Sequence, residues 1–374
     1  MKPKLLFISP SSPFPPRDGK RQRTLALLNA ALIAYEVDFL ILGASRQEIS
    51  RLNENELKPN LHFFYLPTSK ESRLEKIIGL SLLPSKSNRK LFKDFLKSKS
   101  YDKIFCRYAS SARDLPSNCN FYLDVDDDYY EFMKTKISSQ TSFWKKIRYG
   151  QIFILNRFFY KRILLKSKQL IWVKNQNRRG HVLPNLPFQI LISGFQELPP
   201  PRSRNLLFVG KLSYEPNARG IQWFLEKVWP ILKEEIPNIK LTIISSVKPK
   251  SELKLLFDES TDVKLEINVP NIHSIYKNHA ICIVPIFSGG GSNVKLAEAL
   301  IMGRKVISTN FGARGFENWI SSGEIKLANN PKEWLTKISE LINEPWDEAS
   351  WEKIRSQFSL KDWDQQFLNI LNES

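Results

Sequence analysis

The stretch VPIFSGGGSNVKLAEAL, residues 284–300, combines a buried strand, a glycine turn and the start of a helix. The run 280–286 is apolar and rich in β-branched residues, which favours an interior strand of a parallel sheet. The three glycines 289–291 follow, where the backbone must bend sharply and approach another group closely. Ser292 or Asn293 is a good N-cap for the helix that follows. The stretch therefore predicts one βα unit of a parallel α/β sheet.

The side chains of this unit suit a nucleoside diphosphate. A helix N-terminus behind a glycine turn offers free N–H groups and a partial positive charge, and both attract phosphate. Lys295 adds a full charge in the first turn, and Glu298 lies three residues on, along the same side of the helix. The cation suits a diphosphate and the carboxylate suits sugar hydroxyls. An ordinary βα turn with a helix cap explains the local pattern equally well, so both interpretations stay open at this point.

The composition indicates two folded domains. The chain has 374 residues, which exceeds one ordinary domain, and its hydrophobic fraction of 42% supplies a sizeable core. Three cysteines without metal or disulfide spacing fit a reducing compartment. No apolar run approaches the roughly 20 residues that span a bilayer, and the apolar stretch before Pro10 is too short for a secretory signal. We therefore expect a cytoplasmic protein, either free or peripheral on the inner face of a membrane.

The net charge of +18 is concentrated in one interval. No acidic residue occurs between Glu131 and Glu197, whereas thirteen lysines and arginines do. Such a block attracts a polyanion, which would be nucleic acid, anionic lipid or a phosphorylated substrate. Within it, residues 144–165 mix bulky apolar and aromatic side chains with cations. Two interpretations are open for this helix: it packs on the core with a solvated basic face, or it lies at an anionic membrane surface.

The α/β pattern occurs twice, on either side of a proline-rich linker. Strand 5–9, helix 24–34 and strand 37–42 form a βαβ unit, which predicts a parallel sheet. The linker includes residues 197–204, and a new strand at 205–209 starts the second pattern. The expected division is a first domain at 1–190, a linker at 191–204, a second domain at 205–345 and a C-terminal helix at 346–374.

The order of motifs in the second half resembles the donor domain of GT-B glycosyltransferases of retaining family 4 (GT4), the "glycosyl transferases group 1" type. The first half is matched more weakly, by Pro-Pro-x-x-Gly19 and by Leu-Pro-Asn185. The matching segments of the second half are FVGKLSYEPN (208–217), GIQWF (220–224), VWP (228–230), IPN (236–238), VPNIHSIY (269–276), residues 285–300, GRKVIS (303–308) and GARGF (312–316).

The resemblance implies an α/β fold of the GT-B class. Two Rossmann-like domains, each a doubly wound parallel sheet, would face each other across a cleft that binds the nucleotide sugar. The C-terminal helix would cross back to the first domain, anchored by Trp346, Trp351 and Trp363.

The resemblance also implies which side chains bind the donor. Lys295 and Lys211 would bind its pyrophosphate, and Glu298 would accept hydrogen bonds from its ribose hydroxyls. Each has a simpler alternative, because Lys211 could be a solvated turn residue and Glu298 could pair with Lys295 on the helix surface.

Main-chain contacts to the donor are implied as well. Gly291 and Ser292 would bring N–H groups to the phosphates, and Val269 would contact the base. Gly19 would let the first-domain loop approach the diphosphate or the transferred sugar.

Two departures from the family pattern concern the reacting centre. Gly290 stands where many members have the first Glu of a Glu-x7-Glu pair, near the transferred sugar. None of the four histidines fits the family's position at the carboxyl end of a first-domain strand. The nearest equivalent is the sequence DVDDD at 124–128, so Asp126 or Asp127 is the candidate catalytic group, with helix capping as the alternative.

The implied activity is transfer of a sugar from a nucleoside-diphosphate sugar to a hydroxyl, with retention, in cell-surface polysaccharide or lipopolysaccharide biosynthesis. No metal or other cofactor is expected, because lysines and a helix dipole would take the place of a metal. The expected partners are the nucleotide-sugar donor, a lipid-linked or saccharide acceptor and an anionic membrane surface. Nucleic acid is not expected, since the chain has no RNA-binding motif. The alternatives are a GT-B-fold UDP-sugar epimerase and a non-catalytic relative that binds nucleotide sugars or polyanions.

Overall fold

The chain is divided by its internal contacts into two compact units. The first comprises Met1–Pro184 and Leu360–Ser374, and the second comprises Asn185–Ser359. Most of the predicted linker, including Glu197, lies outside the described residues. The computed structural model describes residues 2–16, 18–56, 58–66, 82–126, 128–138, 140, 142–174, 178–192, 203–269, 272–289 and 291–373.

The first unit contains, within its described residues, a sheet of seven parallel strands. The strands are β1 (Lys4–Ser9), β2 (Glu36–Leu42), β3 (Leu61–Leu66), β4 (Lys103–Arg107), β5 (Tyr122–Asp124), β6 (Gln169–Trp172) and β7 (His181–Val182). They lie in the order β3-β2-β1-β4-β5-β6-β7. Residues 5–8 of β1 are apolar and fully buried, as expected for a strand covered on both faces. The strand order turns back between β1 and β4, where open α/β sheets usually place their ligands.

Helices flank this sheet. The first helix, α1 (Gly19–Ala34), begins behind Asp18, whose carboxylate accepts a hydrogen bond from the Arg21 backbone N–H at 3.0 Å. Its Leu27 and Leu28 side chains are fully buried. The described helices before residue 184 are α1 (Gly19–Ala34), α2 (Arg46–Asn55), α3 (Lys86–Ser98), α4 (Ala109–Ala112), α5 (Tyr129–Ser138) and α6 (Phe143–Lys166).

The second unit contains six parallel strands in the part of it that is described. The strands are β8 (Leu206–Val209), β9 (Leu241–Ser245), β10 (Val263–Ile267), β11 (Ile281–Val284), β12 (Lys305–Ser308) and β13 (Ile325–Leu327). Their order is β10-β9-β8-β11-β12-β13, so this sheet also turns back at its centre, between β8 and β11. The strand predicted at 280–286 is β11, and all four of its residues are buried.

Its helices include the one predicted behind the glycine turn, which begins at Val294 with Asn293 as N-cap. A π-helical turn, Phe224–Val228, joins the helices Glu215–Trp223 and Trp229–Glu235. The helices are α7 (Phe188–Ile192), α8 (Glu215–Trp223), α9 (Trp229–Glu235), α10 (Ser251–Glu259), α11 (Ile272–Lys277), α12 (Val294–Ile301), α13 (Glu317–Ser321), α14 (Pro331–Asn343) and α15 (Glu348–Ser356).

The segment expected to form one C-terminal helix from residue 346 forms two. Helix α15 belongs to the second unit, where the Trp351 indole N–H donates to the Ile301 carbonyl at 2.9 Å. Trp346 likewise donates to Gly303, at 3.3 Å. These indole hydrogen bonds hold this part of the chain on the second unit, so Trp346 and Trp351 do not anchor a helix on the first.

The next helix, α16 (Leu360–Asn372), belongs to the first unit and packs against α1. Its Trp363 donates to the Pro184 carbonyl at 2.8 Å, and its buried Phe367 ring meets that of Phe105 edge-on. The predicted fold of two doubly wound parallel sheets, with a C-terminal helix that returns to the first, is confirmed. No helix in the described parts of the chain is both long and apolar enough to cross a bilayer.

Candidate functional site

The glycine turn between β11 and α12 is held by hydrogen bonds within the second unit. Gly289 has a φ of +134°, a conformation that side chains disfavour, and its carbonyl accepts from Arg314 at 3.4 Å. The Ser292 hydroxyl accepts from the Asn185 amide at 2.9 Å. The Asn293 side chain does not cap the helix but donates to the Gly312 carbonyl at 2.6 Å. These hydrogen bonds therefore fix the glycine turn. The Asn293 side chain is used in them, so the N-terminus of α12 has no side-chain cap.

Lys295 lies in the first turn of α12 and points toward the end of β8. Its Nζ donates to Asn217 Oδ1 at 2.6 Å and lies 5.1 Å from the centre of the Phe208 ring. The Asn217 amide in turn donates to the Lys211 carbonyl at 3.0 Å. The structure thus brings together two predicted donor residues, the Lys295 side chain and the turn at Lys211, through an asparagine between them.

Gly210 allows Asn217 and Lys295 to approach each other closely. A Cβ at Gly210 would lie 2.9 Å from the Asn217 amide nitrogen and 3.1 Å from Lys295 Nζ. Real side chains avoid such distances, so residue 210 must lack one for the asparagine and the lysine to approach. The Lys211 side chain itself is exposed to solvent.

Burial changes the proton affinity of Lys295. Its removal from water lowers the pKa to about 8, although the Glu298 charge acts in the opposite direction. A buried amine with a lowered pKa is stabilised in its charged form when an anion approaches. The site therefore favours an anionic ligand at this position.

A tyrosine hydroxyl orients the Glu298 carboxylate. The Tyr276 hydroxyl donates to Glu298 Oε2 at 3.3 Å, and the tyrosine ring is buried. Burial first, and the Glu298 charge second, hold the pKa of Tyr276 well above its usual value, so this hydroxyl keeps its proton and remains a donor. Val269, which follows β10, is half-buried against the core of the second unit. Gly290 lies outside the described residues.

In the first unit, Asp126 lies just beyond the carboxyl end of β5 and is ionised. It is only 9% exposed, and it accepts hydrogen bonds from Arg107 at 3.0 Å and from the Tyr108 hydroxyl at 2.7 Å. Burial raises the pKa of Asp126, but the charges of Arg107 and Arg23 outweigh it and bring this pKa below its usual value. A carboxylate in this state accepts hydrogen bonds well but is a weak base at neutral pH.

Asp124 is the buried centre of the same cluster. It forms ion pairs with Arg107 and with Arg23, the latter at 2.6 Å. Arg107 also donates to the Lys20 carbonyl in the first turn of α1, at 3.3 Å. This bond joins the helix that begins at Gly19 to the strand ends that carry Asp124 and Asp126. Asp127 lies outside the described residues.

The backbone at these strand ends is strained. Tyr108 and Asp126 have φ angles of +65° and +46°, which residues other than glycine rarely adopt. Such conformations cost free energy and cluster at functional sites. The cluster is therefore a candidate site in its own right, next to the turn-back point of the first sheet.

Sequence reasoning missed several residues that hold these groups. Asn217 and Tyr276 occur inside motifs that were recognised, yet neither residue type signals a contact with Lys295 or Glu298. For Arg107 and Tyr108 a signal existed, because the apolar residues 104–106 before them are typical of a buried strand and polar residues at strand ends often bind ligands.

Comparison with known proteins adds a family and a shared fold. Residues 203–344 match the family model described as Glycosyl transferases group 1. A Klebsiella pneumoniae protein, described as "Uncharacterized 44.6 kDa protein in cps region", is 23% identical over 335 residues, which cover 83% of this chain and 84% of that protein. The predicted resemblance to this family is confirmed over residues 203–344.

Solved structures share the fold along nearly the whole chain. TarM has a TM-score of 0.68 at 12% identity and covers 100% of this chain and 99% of its own. The trehalose-6-phosphate synthase OtsA has a TM-score of 0.66 at 12% identity, with 99% of each chain covered. An S. aureus TarM mutant in complex with fondaparinux, alpha-GlcNAc-glycerol and UDP has a TM-score of 0.65 at 10% identity and covers 99% of this chain and 100% of its own.

Proposed function

We propose that this chain, a group 1 glycosyltransferase of the GT4 type with the GT-B fold, transfers a sugar from a nucleoside-diphosphate sugar to a hydroxyl, with retention. The proposal rests on one observation in the second unit. Asn217 ties the Lys295 ammonium to the turn at Lys211, at the uncapped start of α12. Two lysines and a helix N-terminus form an anion site suited to a diphosphate.

The proposed chemistry follows from charge development on the leaving group. As the glycosidic bond breaks, negative charge accumulates on the diphosphate, and Lys295, Lys211 and the N–H groups of Gly291 and Ser292 stabilise it. Asn217 fixes the Lys295 ammonium before the substrate arrives, so little reorganisation is needed at the moment of reaction. The acceptor attacks on the same face, and the leaving phosphate oxygen takes its proton, as the family resemblance implies.

Glu298 and Val269 complete the donor site in this proposal. Tyr276 donates to one carboxylate oxygen of Glu298, which leaves acceptor capacity for the ribose hydroxyls. Val269 contacts the base through its main chain.

In the first unit, Asp126 orients a hydroxyl of the acceptor or of the transferred sugar. Its lowered pKa fits an orienting group better than a general base. Asp127 is the alternative candidate for this role, and Gly19 would let the first-domain loop approach the diphosphate or the transferred sugar, as the family resemblance implies. Asp124 and Asp126 have the Asp-x-Asp spacing that is the motif of the other, metal-dependent glycosyltransferase fold. In this chain each of the two carboxylates forms an ion pair with an arginine.

The proposed acceptor is a lipid-linked or saccharide hydroxyl in cell-surface polysaccharide or lipopolysaccharide biosynthesis. The Klebsiella pneumoniae relative is described as a protein of a cps region, which supports this assignment. UDP bound to the TarM mutant makes UDP-sugars the first donors to test.

We further propose that the protein is peripheral on the inner, cytoplasmic face of a membrane and binds it through α6. The exposed side of this helix carries large apolar side chains among cations. Trp144 is 76% exposed, and Phe143, Ile154, Phe158 and Leu165 are also exposed. Aromatic insertion with cations at the headgroups is how helices bind anionic bilayers.

A thermal-shift screen against UDP-, GDP- and ADP-sugars tests the donor site, because a ligand that binds the native state raises its melting temperature. Lys295→Ala and Glu298→Ala should each weaken binding of the stabilising nucleotide by about 10- to 100-fold, as expected for loss of a hydrogen bond to a charged group. Exposed Lys227→Ala and Glu234→Ala serve as controls and should bind normally.

Unchanged affinity in both site variants, with the fold intact, would exclude this donor site. Product analysis separates the alternatives. A sugar nucleotide converted without acceptor indicates an epimerase, and binding without any product indicates a non-catalytic relative.

A further inference from the structure

A pocket lies in the first unit, at the C-terminal end of α6. Its floor is apolar and consists of the buried side chains of Leu82, Leu115, Phe121 and Ile163. Four cations surround this floor and have no role in the donor site: Arg89 of α3, Arg113, and Arg162 and Lys166 of α6. An apolar floor within a ring of positive charge suits an amphipathic anion.

An acidic residue, Asp114, lies beside this ring at Arg113. Asp114 contacts Arg113 at 3.2 Å, but it also accepts hydrogen bonds from the Ser85 backbone N–H and the Asn88 amide. None of the described residues that line the pocket is acidic. Burial, followed by the nearby charges of Arg162 and Arg89, lowers the pKa of Lys166, as expected where cations face one another. A bound anion would relieve this repulsion.

The pocket is continuous with the exposed apolar side of α6. Phe158 lies four residues before Arg162 and Leu165 lies three residues after it, so both share the side of the helix that carries Arg162. Both apolar side chains are 66% exposed. The Phe159 ring lines the pocket and meets the Phe158 ring edge-on at 5.6 Å. A phosphate held by the cations would therefore have an apolar surface beside it, which a lipid can cover and a soluble phosphate cannot.

We propose that this pocket binds the phosphate group of a membrane lipid, with the hydrocarbon chain against Phe158 and Leu165. The ligand chemistry is a phosphate ester or diphosphate on an apolar chain. The inference rests on the proposed membrane localisation but not on sugar transfer.

Two double variants with the same change of charge test the pocket. Arg162→Gln with Lys166→Gln removes two pocket cations. Arg157→Gln with Lys161→Gln removes two exposed cations of the same helix that do not line the pocket. Glutamine keeps part of the apolar stem, so packing changes little. Circular dichroism and UDP thermal shift should be equal in both, which shows that the fold and the donor site are intact.

The measurement is co-sedimentation with vesicles of phosphatidylcholine alone, or mixed with phosphatidylglycerol or with phosphatidic acid. Both variants lose the diffuse attraction to anionic lipid. The pocket variant should lose about ten-fold more partitioning into phosphatidic acid vesicles than the control variant, since it also lacks direct hydrogen bonds to the phosphate. Equal losses in the two variants would overturn the pocket.

A second arm separates lipid phosphate from free phosphate. Inorganic diphosphate is added to the wild type and to both variants in a thermal-shift assay. If it stabilises the pocket variant less than the wild type and the control variant, while vesicle partitioning is equal in the two variants, the pocket binds soluble phosphates and the lipid assignment is wrong. The Lys295→Ala variant should partition like the wild type, so failure of the donor site and failure of this pocket are distinguishable.

Discussion

Lys295 lies in an environment that lowers the pKa of its ammonium group. One hydrogen bond to Asn217 and the face of the Phe208 ring replace water around its ammonium, and its pKa falls to about 8. The charged form predominates below that value and the neutral amine above it. Its attraction for a diphosphate should therefore depend on pH within the range where the protein can be studied.

Nucleotide affinity of the wild type should fall as the pH rises from 7.5 to 9.5, by up to about ten-fold per pH unit above the pKa of Lys295. Lys295→Arg should bind with a flatter profile, because a guanidinium stays charged throughout. Isothermal titration with UDP across this range measures both profiles. Parallel profiles in the two proteins would show that Lys295 does not govern the pH dependence.

The sequence predicts the charged side chains of the donor site, but it does not predict the residues that form hydrogen bonds with them. Lys295, Glu298 and Lys211 could be assigned because they occupy fixed places in recognisable motifs. The partners could not, because the Lys295–Asn217 contact joins residues 78 apart and the Tyr276–Glu298 contact joins residues 22 apart. Only the fold decides which of many polar residues meet across such distances.

At the scale of elements, α6 shows where sequence periodicity fails. The predicted helix 144–165 and the observed helix Phe143–Lys166 nearly coincide. Its buried face, with Asn156, Tyr160 and Ile163, is narrow, and apolar residues also cover the exposed side. Apolar residues all round a helix give no preferred face. The sequence therefore left the core-packing and membrane interpretations open. The structure shows that one face of the helix packs on the core and that the other exposes large apolar side chains and cations.

Helix α8 meets the segment after β11 through a residue without a side chain. A Cβ at Gly220 would lie 2.0 Å from the Pro285 carbonyl oxygen, just before the glycine turn. Helix and turn therefore pack backbone to backbone, and the position of the turn depends on this contact.

Gly220→Ala should destabilise the second unit by about 1–3 kcal/mol, because the methyl group forces α8 away from Pro285. It should also weaken UDP binding. Gly150→Ala is the matched control, since this glycine also lies in a helix and a Cβ there meets nothing within 4 Å. The control should gain up to about 1 kcal/mol from helix propensity. Urea denaturation measures both, and equal stability of the two variants would contradict the close packing.

At the scale of the whole molecule, charge is distributed unevenly. The +18 net charge is concentrated in the acid-free interval that contains α6, and this helix also exposes the largest apolar side chains. Cations draw a surface toward anionic lipid over about a Debye length, roughly 10 Å at 0.1 M salt, and aromatic side chains hold it once it is there. Electrostatics should therefore govern the salt dependence of binding, and aromatic insertion its strength.

The wild type should sediment with vesicles that contain phosphatidylglycerol more than with neutral vesicles, and less as salt is added. Trp144→Ser should reduce this binding by about five- to ten-fold through lost apolar burial. Leu255→Ser, which changes an exposed apolar residue on α10 of the second unit, should not. Equal recovery with neutral and anionic vesicles at low salt would refute the membrane assignment.

Helix α16 belongs to the core of the first unit but follows the entire second unit in the chain. Synthesis proceeds from the N-terminus, and domains fold as they emerge. The first sheet and α1 therefore leave the ribosome long before α16 does. The Phe105 ring can contact the Phe367 ring only once α16 has been synthesised. The second unit, which is continuous in the chain, needs no later segment. The first unit can therefore complete its core only after the second unit has been synthesised.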